Sequence, residues 1–267
     1  MKKRVKLIVN FAGMIVLASA TVIGNVVCNI FESQINSYLC PPISNNKSNS
    51  TESASGEDLV KEIVMEGAVL AKNDGVLPLS KSDNNKINIF GWSVTDWVMA
   101  GGGSGTVSPK DNDWNNTVDL LKAFDLYEYG VSYNQDLIDA YSKFHKPFRN
   151  VGFGQSGQRG RTDIFEPKLT DKSVYSDELL ENAKNYSDTA LFVISRTGHE
   201  STDVSPDYIK VTNTEKEMLT YLGENYKNVI VLINACNTMV LDFIDTIPGI
   251  DACLVVGATG THGARAI

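Results

Sequence analysis

Two carboxylic acids in this sequence, Glu200 and Asp203, follow an arginine, Arg196, at a spacing that could serve proton transfer. They come directly after a short apolar run, residues 190–194. Nothing in that run alternates with polar residues, so it reads as a fully buried strand. Gly198 supplies a turn between the arginine and the glutamate. Open α/β sheets hold their ligands at the carboxyl ends of strands. A carboxylic acid kept there beside a guanidinium can give or take a proton. The same spacing also suits a plain solvated loop, so the elements around it must decide.

Those elements alternate between strand and helix. Residues 87–90, 129–133, 190–194, 229–233 and 252–256 read as strands. Residues 117–124, 135–144 and 176–185 read as helices. Thr212-Asn-Thr-Glu215 has the form of a capping box for a helix carrying Met218, Leu219 and Leu222. Continuous apolar strands separated by helices predict an α/β fold, a mostly parallel sheet with helices on both faces. Its carboxyl edge should then collect residues 101–105, 196–203 and 257–263.

Before this domain lies a leader. Lys2, Lys3, Arg4 and Lys6 precede an apolar run over residues 7–31, broken only by Asn10, Asn25 and Asn29. A run of this length suits a transmembrane helix better than the roughly 7–15 apolar residues of a signal peptide. Ala18-Ser-Ala20 keeps a cleaved leader open as the alternative. The cations predict a single-pass anchor in the cell membrane, with the amino terminus in the cytoplasm and the folded domain on the extracellular side. Residues 32–56, poor in anything to bury, read as a flexible linker. The folded domain is expected over 57–267. Ser55-Gly-Glu-Asp58 would cap its first helix, with Leu59, Ile63, Gly67 and Leu70 on one face.

Composition excludes several classes. A net charge of −8 gives nucleic acid no basic face to bind. Cys28 and Cys40 belong to the leader and its exit, and Cys236 and Cys253 read as small buried thiols. No Cys-x-x-Cys or His-x-x-x-His spacing offers a metal a home, and no cofactor is expected. Residues 145–167, rich in Gly, Arg and Gln and without periodicity, read as a mobile rim. Leu254-Val-Val-Gly-Ala-Thr-Gly-Thr-His-Gly263 has the outline of a dinucleotide-binding turn and keeps an NAD(P)-binding oxidoreductase as an alternative. A membrane-tethered, non-catalytic carbohydrate-binding module is the other.

Arg196-Thr-Gly-His-Glu200-Ser-Thr-Asp203 resembles the Arg-x-x-Gly-Glu-Gly-x-Asp loop of glycoside hydrolase family 3, the β-glucosidases and β-xylosidases. His199 and Ser201 replace the glycines that usually flank the glutamate. The resemblance extends over residues 57–267. It includes Glu66-Gly-Ala-Val-Leu-Ala-Lys-Asn-Asp-Gly-Val-Leu-Pro-Leu79, Ile89-Phe-Gly91 with Gly101-Gly-Gly-Ser-Gly105, Asn228-Val-Ile-Val-Leu-Ile-Asn234 and Ile250-Asp-Ala-Cys-Leu-Val-Val-Gly257.

The resemblance implies the family's α/β-sandwich domain, with Glu200 as general acid/base of a retaining exo-β-glycosidase. Arg196 and Asp203 would hold the loop or contact the sugar, His199 and Ser104 would be sugar contacts, and Trp92 and Trp97 either stack on a pyranose or fill the core. It implies a β-linked oligosaccharide or glycoside as substrate. A barrel domain carrying the nucleophile would follow in the same polypeptide, beyond the residues present here. The apolar edge after Val256 would then lie open to other chains.

Overall fold

The computed structural model describes residues 2–31, 50–79, 85–102, 107, 114–127, 130–144, 164–198 and 203–267. The chain divides into two compact units after Ser53.

The first unit contains helix α1, Lys2–Ile30. Twenty-nine helical residues extend roughly 44 Å, longer than the ~30 Å hydrocarbon core of a bilayer. Its window Asn10–Val27 is apolar enough to cross a membrane by length and composition. Polar residues inside it bond back to the helix: the Thr21 hydroxyl donates to the Leu17 carbonyl and the Asn25 amide to that of Thr21. Each thus gives a donor to a carbonyl one turn back in the helix.

The second unit is built on a six-stranded sheet: β1 Val69–Asn73, β2 Asn85–Phe90, β3 Val131–Tyr133, β4 Thr189–Arg196, β5 Asn228–Ala235 and β6 Ala252–Val255. The spatial order is β1-β6-β5-β4-β2-β3. Every neighbouring pair is parallel except β1 with β6. All eight residues of β4 are buried, and seven of the eight in β5, which is why their sequences show no alternation. Each large apolar side chain removed from water there contributes about 1.5–3 kcal/mol.

The helices are α2 Ser50–Gly67, α3 Leu120–Tyr127, α4 Gln135–Phe144, α5 Asp177–Tyr186, α6 Asn213–Asn225 and the single turn α7 Phe243–Thr246. Ser176 caps α5, its hydroxyl accepting from the Leu179 amide at 3.1 Å. Thr212 and Glu215 complete the expected capping box at α6. One polar residue in the middle of β2, Asn88, ties three elements together. Its amide donates to the carbonyls of Ala183 at 2.8 Å and Ser187 at 3.0 Å, at the end of α5, and its oxygen accepts from Asn134 at the start of α4.

Several expectations need correction. Helix α2 begins at Ser50, so Ser55 lies inside it rather than at its cap. Leu59 and Ile63 are exposed, while Val64 is buried and meets, with Val60, the glycine turn at Gly263. The helix is turned because the surface it covers has no side chain at Gly263. Glu57 and Arg265 pair at 2.6 Å beside that contact.

Leu70 belongs not to the helix but to β1, which pairs with β6 and covers its edge, so the strand ending before Val256 is not open. The signal was weak: β1 is largely exposed and its ladder shifts register between Leu70 and Lys72. The strand predicted at 252–256 ends at Val255, the helix predicted at 117–124 spans 120–127, and Cys236, just past β5, is exposed while Cys253 is buried.

Candidate functional site

The carboxyl ends of β2, β4, β5 and β6 form one edge, and hydrogen bonds join the loops leaving them. Gly102 N–H donates to the Gly198 carbonyl at 2.8 Å, Gly260 N–H to that of Met99 at 2.8 Å and Val118 N–H to that of Thr261 at 2.7 Å. Asn234, fully buried near the end of β5, holds the centre. Its oxygen accepts from Val98 N–H at 2.7 Å, and its amide donates to the carbonyls of Val98 and Gly257 at 2.8 and 2.7 Å. The three expected loop regions thus meet, as far as their described residues reach. Gly91 makes the tightest exit: φ is +99°, and a Cβ there would come within 2.4 Å of the Val193 carbonyl oxygen.

Arg196 is the last residue of β4 and is 1% exposed. Its five N–H groups are all taken. Nε donates to the Tyr208 carbonyl at 2.9 Å, and Nη1 to Ser195 O at 3.0 Å and Glu215 Oε1 at 2.9 Å. Nη2 donates to Lys210 O at 3.0 Å and Glu215 Oε2 at 2.7 Å. A guanidinium has five donors, so none is left for a sugar. Of the two roles expected for it, Arg196 is placed to hold the loop. Nothing in its spacing to Glu200 distinguished the two roles, because the partner that uses it, Glu215, comes nineteen positions later.

Asp203 is exposed. Glu200, His199 and Ser104 lie outside the described residues. Trp92 and Trp97 are buried, so they serve the core and not a pyranose face. Trp97 donates its indole N–H to Thr259 Oγ1 at 2.8 Å, and Trp92 packs edge-on against Phe165. The turn at residues 257–263 uses its own backbone groups: Gly260 N–H is bound to Met99 and Gly263 N–H to the Thr259 carbonyl, and the chain continues into a short 3₁₀ turn, Gly263–Ala266. Those amides are the donors a dinucleotide phosphate would need.

One acid went unmarked by any spacing. Glu166, within the aperiodic stretch, accepts from Tyr175 Oη at 2.8 Å and from Trp92 N–H at 3.1 Å. Tyr175 Oη is 2.5 Å from Tyr141 Oη, which accepts from Gly91 N–H at 2.8 Å. Burial pushes the Glu166 carboxyl up to about 8, against the two hydrogen bonds that favour its anion, and the charge of Glu215 adds to the rise.

A cavity of about 630 Å³ lies on one face of the sheet between Ile87, Leu191, Ile230, Leu254 and Phe124 of α3. Its described lining carries no charged side chain, so it offers nothing to protonate a leaving group. Among the described residues, no group of three His, Cys, Asp or Glu side chains is placed to hold a metal.

The glycosyl hydrolase family 3 C-terminal domain matches residues 68–267. The chain belongs to this family. Among its relatives, a β-glucosidase of Ruminococcus albus is 32% identical over 214 residues, 77% of this chain and 21% of that protein. β-Glucosidase A of Butyrivibrio fibrisolvens is 29% identical over 252 residues, 84% of this chain and 28% of its own length. The chain therefore spans about a quarter of these relatives. Among solved structures, β-glucosidase 3B of Thermotoga neapolitana in complex with α-D-glucose superposes with a TM-score of 0.66 at 22% identity, covering 86% of this chain and 30% of that one. A β-glucosidase of Paenibacillus barengoltzii gives 0.63 at 24% identity, over 79% and 22%.

Proposed function

We propose that this chain supplies the acid/base half of a retaining, exo-acting β-glycosidase, with a β-glucoside or β-xyloside as substrate. The observation that carries the proposal is the position of Glu200 and Asp203, four and seven residues beyond the arginine that ends a central strand, in a domain of family 3. The relatives' names as β-glucosidases support the reaction class.

A retaining hydrolysis uses two carboxyl groups about 5–5.5 Å apart. One attacks the anomeric carbon, and the other protonates the leaving oxygen and then deprotonates the incoming water. Glu200 takes the second role. The nucleophile belongs to a barrel domain of the same polypeptide. His199, Asp203 and Ser104 would bind hydroxyls of the sugar, and Arg196 keeps the loop in place. The N-terminal helix tethers the enzyme to the cell membrane with this domain outside, as its four leading cations favour.

In the complete enzyme, Glu200→Ala should slow aryl β-glucosides with poor leaving groups by about 10²–10⁴ and spare those with very good ones. Equal losses for both would remove Glu200 from the acid/base role. Residues 57–267 alone should turn over neither an aryl β-glucoside nor an aryl β-xyloside, because acid and nucleophile cannot substitute for one another. Turnover abolished by Glu200→Gln would put a nucleophile inside this chain.

A further inference from the structure

Tyr208 stands eleven residues beyond Thr197 and occupies both of its backbone groups. Its hydroxyl accepts from Thr197 N–H at 2.8 Å and donates to the Thr197 carbonyl at 2.9 Å. Thr197 is the first residue after β4, and its predecessor's carbonyl already takes Cys236 N–H from the neighbouring strand's exit. One phenol therefore continues the pairing for a residue past the end of the ladder.

The phenol is itself held firmly. Tyr208 is 6% exposed, its ring centroid lies 5.6 Å from the Arg196 guanidinium, and its carbonyl takes the Arg196 Nε–H. Its amide donates to Ser205, and the next residue's carbonyl accepts from Val240 N–H at 2.8 Å. Beyond Thr197, the Gly198 carbonyl receives Gly102 N–H, so the direction in which the chain leaves β4 also sets where the glycine loop after β2 is tied.

We infer that Tyr208 is a positioning residue for the acid/base loop: its hydroxyl fixes the first step of that loop out of the sheet. The inference rests on the reading of Glu200 given above. The ring and the hydroxyl have separable tasks. The ring packs on Arg196, an attachment that phenylalanine would keep. Both of the hydroxyl's bonds to described residues go to Thr197, so losing it loosens the loop stem while the ring keeps its packing. Proton transfer demands placement within a fraction of an ångström, and a shift of about 1 Å can cost about 10²-fold.

Tyr208→Phe tests this in two ways. In this chain, amide exchange at Thr197 should speed up about tenfold, the loss of one ordinary hydrogen bond, while Phe192 and Val231 in the core keep their protection. In the complete glycosidase, kcat should fall about ten- to a hundredfold for an aryl β-glucoside with a poor leaving group. It should stay within about twofold for a good one, with KM unchanged for both. A merely structural role would lower both substrates alike, and that result overturns the inference. So does a wild-type Thr197 amide that exchanges as freely as an unpaired one, whether or not the variant folds. If Glu200→Ala shows no leaving-group dependence, the acid/base reading fails and takes the catalytic half of this inference with it. If Glu200→Ala shows it and Tyr208→Phe does not, Tyr208 alone is overturned.

Discussion

Glu215 is buried and Glu166 half-buried beside the same sheet edge, and the two carboxylates are kept there by different means. Glu215 faces a cation: both of its oxygens accept from the Arg196 guanidinium, and Oε2 also takes the Thr212 amide at 2.7 Å and hydroxyl at 3.0 Å. Glu166 has neutral hydrogen-bond partners, Tyr175 and the Trp92 amide, and burial raises its carboxyl to about 8. The tyrosines behind it are pushed well above the ordinary phenol range by burial, so they remain neutral donors. A buried acid is thus answered either by a counter-charge with matching geometry or by keeping its proton. The first solution ties β4 to α6. The second leaves an acid that is mostly protonated at neutral pH, holding the turn after β2.

Removing the counter-charged acid should have the largest effect. Glu215→Ala leaves the Arg196 cation buried without its partner and should cost about 3–5 kcal/mol in urea unfolding. An Arg196→Met, Glu215→Gln double variant should recover much of that loss. If the double variant is as unstable as Glu215→Ala, the pairing is not what the acid contributes.

The second test uses pH. The folded state holds a proton on Glu166 that the unfolded chain releases near 4.5, so its contribution to stability is fully present below that pH. The contribution shrinks as pH rises towards about 8 and is level above it. The fall should amount to a few kcal/mol, since solvent at its partly exposed side softens the full shift. In Glu166→Gln that part of the slope should vanish, read as urea midpoints between pH 5 and 9. An unchanged slope would mean that Glu166 ionises normally.

The smallest expected change concerns the cap that Glu215 also serves. Thr212→Ala removes the hydroxyl that accepts from Glu215 N–H at 3.2 Å and should cost about 1 kcal/mol. A cost near that of Glu215→Ala would show the cap, rather than the ion pair, to be the main tie.

Local pattern was enough to recognise the parallel sheet, because β4 and β5 are buried on both faces and their sequences have nothing to alternate. It was also enough for α4 and the capping box at α6, where the signals lie within a few residues of one another. The antiparallel β1 was not legible. It is an exposed edge strand whose pairing with β6 joins residues nearly two hundred positions apart, and its first residues continue the apolar spacing of α2. Trp92 and Trp97 looked equally suited to a sugar or a core, and only the closing of the edge over them decided for the core.

The site divides along the same line. The run of charged residues from Arg196 to Asp203 was legible as the exit of a central strand, since that information is contiguous in the chain. What Arg196 does there depended on Tyr208, Lys210 and Glu215 converging on it, and the raised acid at Glu166 depended on two tyrosines brought in from α4 and from the approach to α5. A guanidinium's remaining donors and a carboxyl's pKa are set by everything within a few ångströms. Only the folded chain puts those groups at that distance.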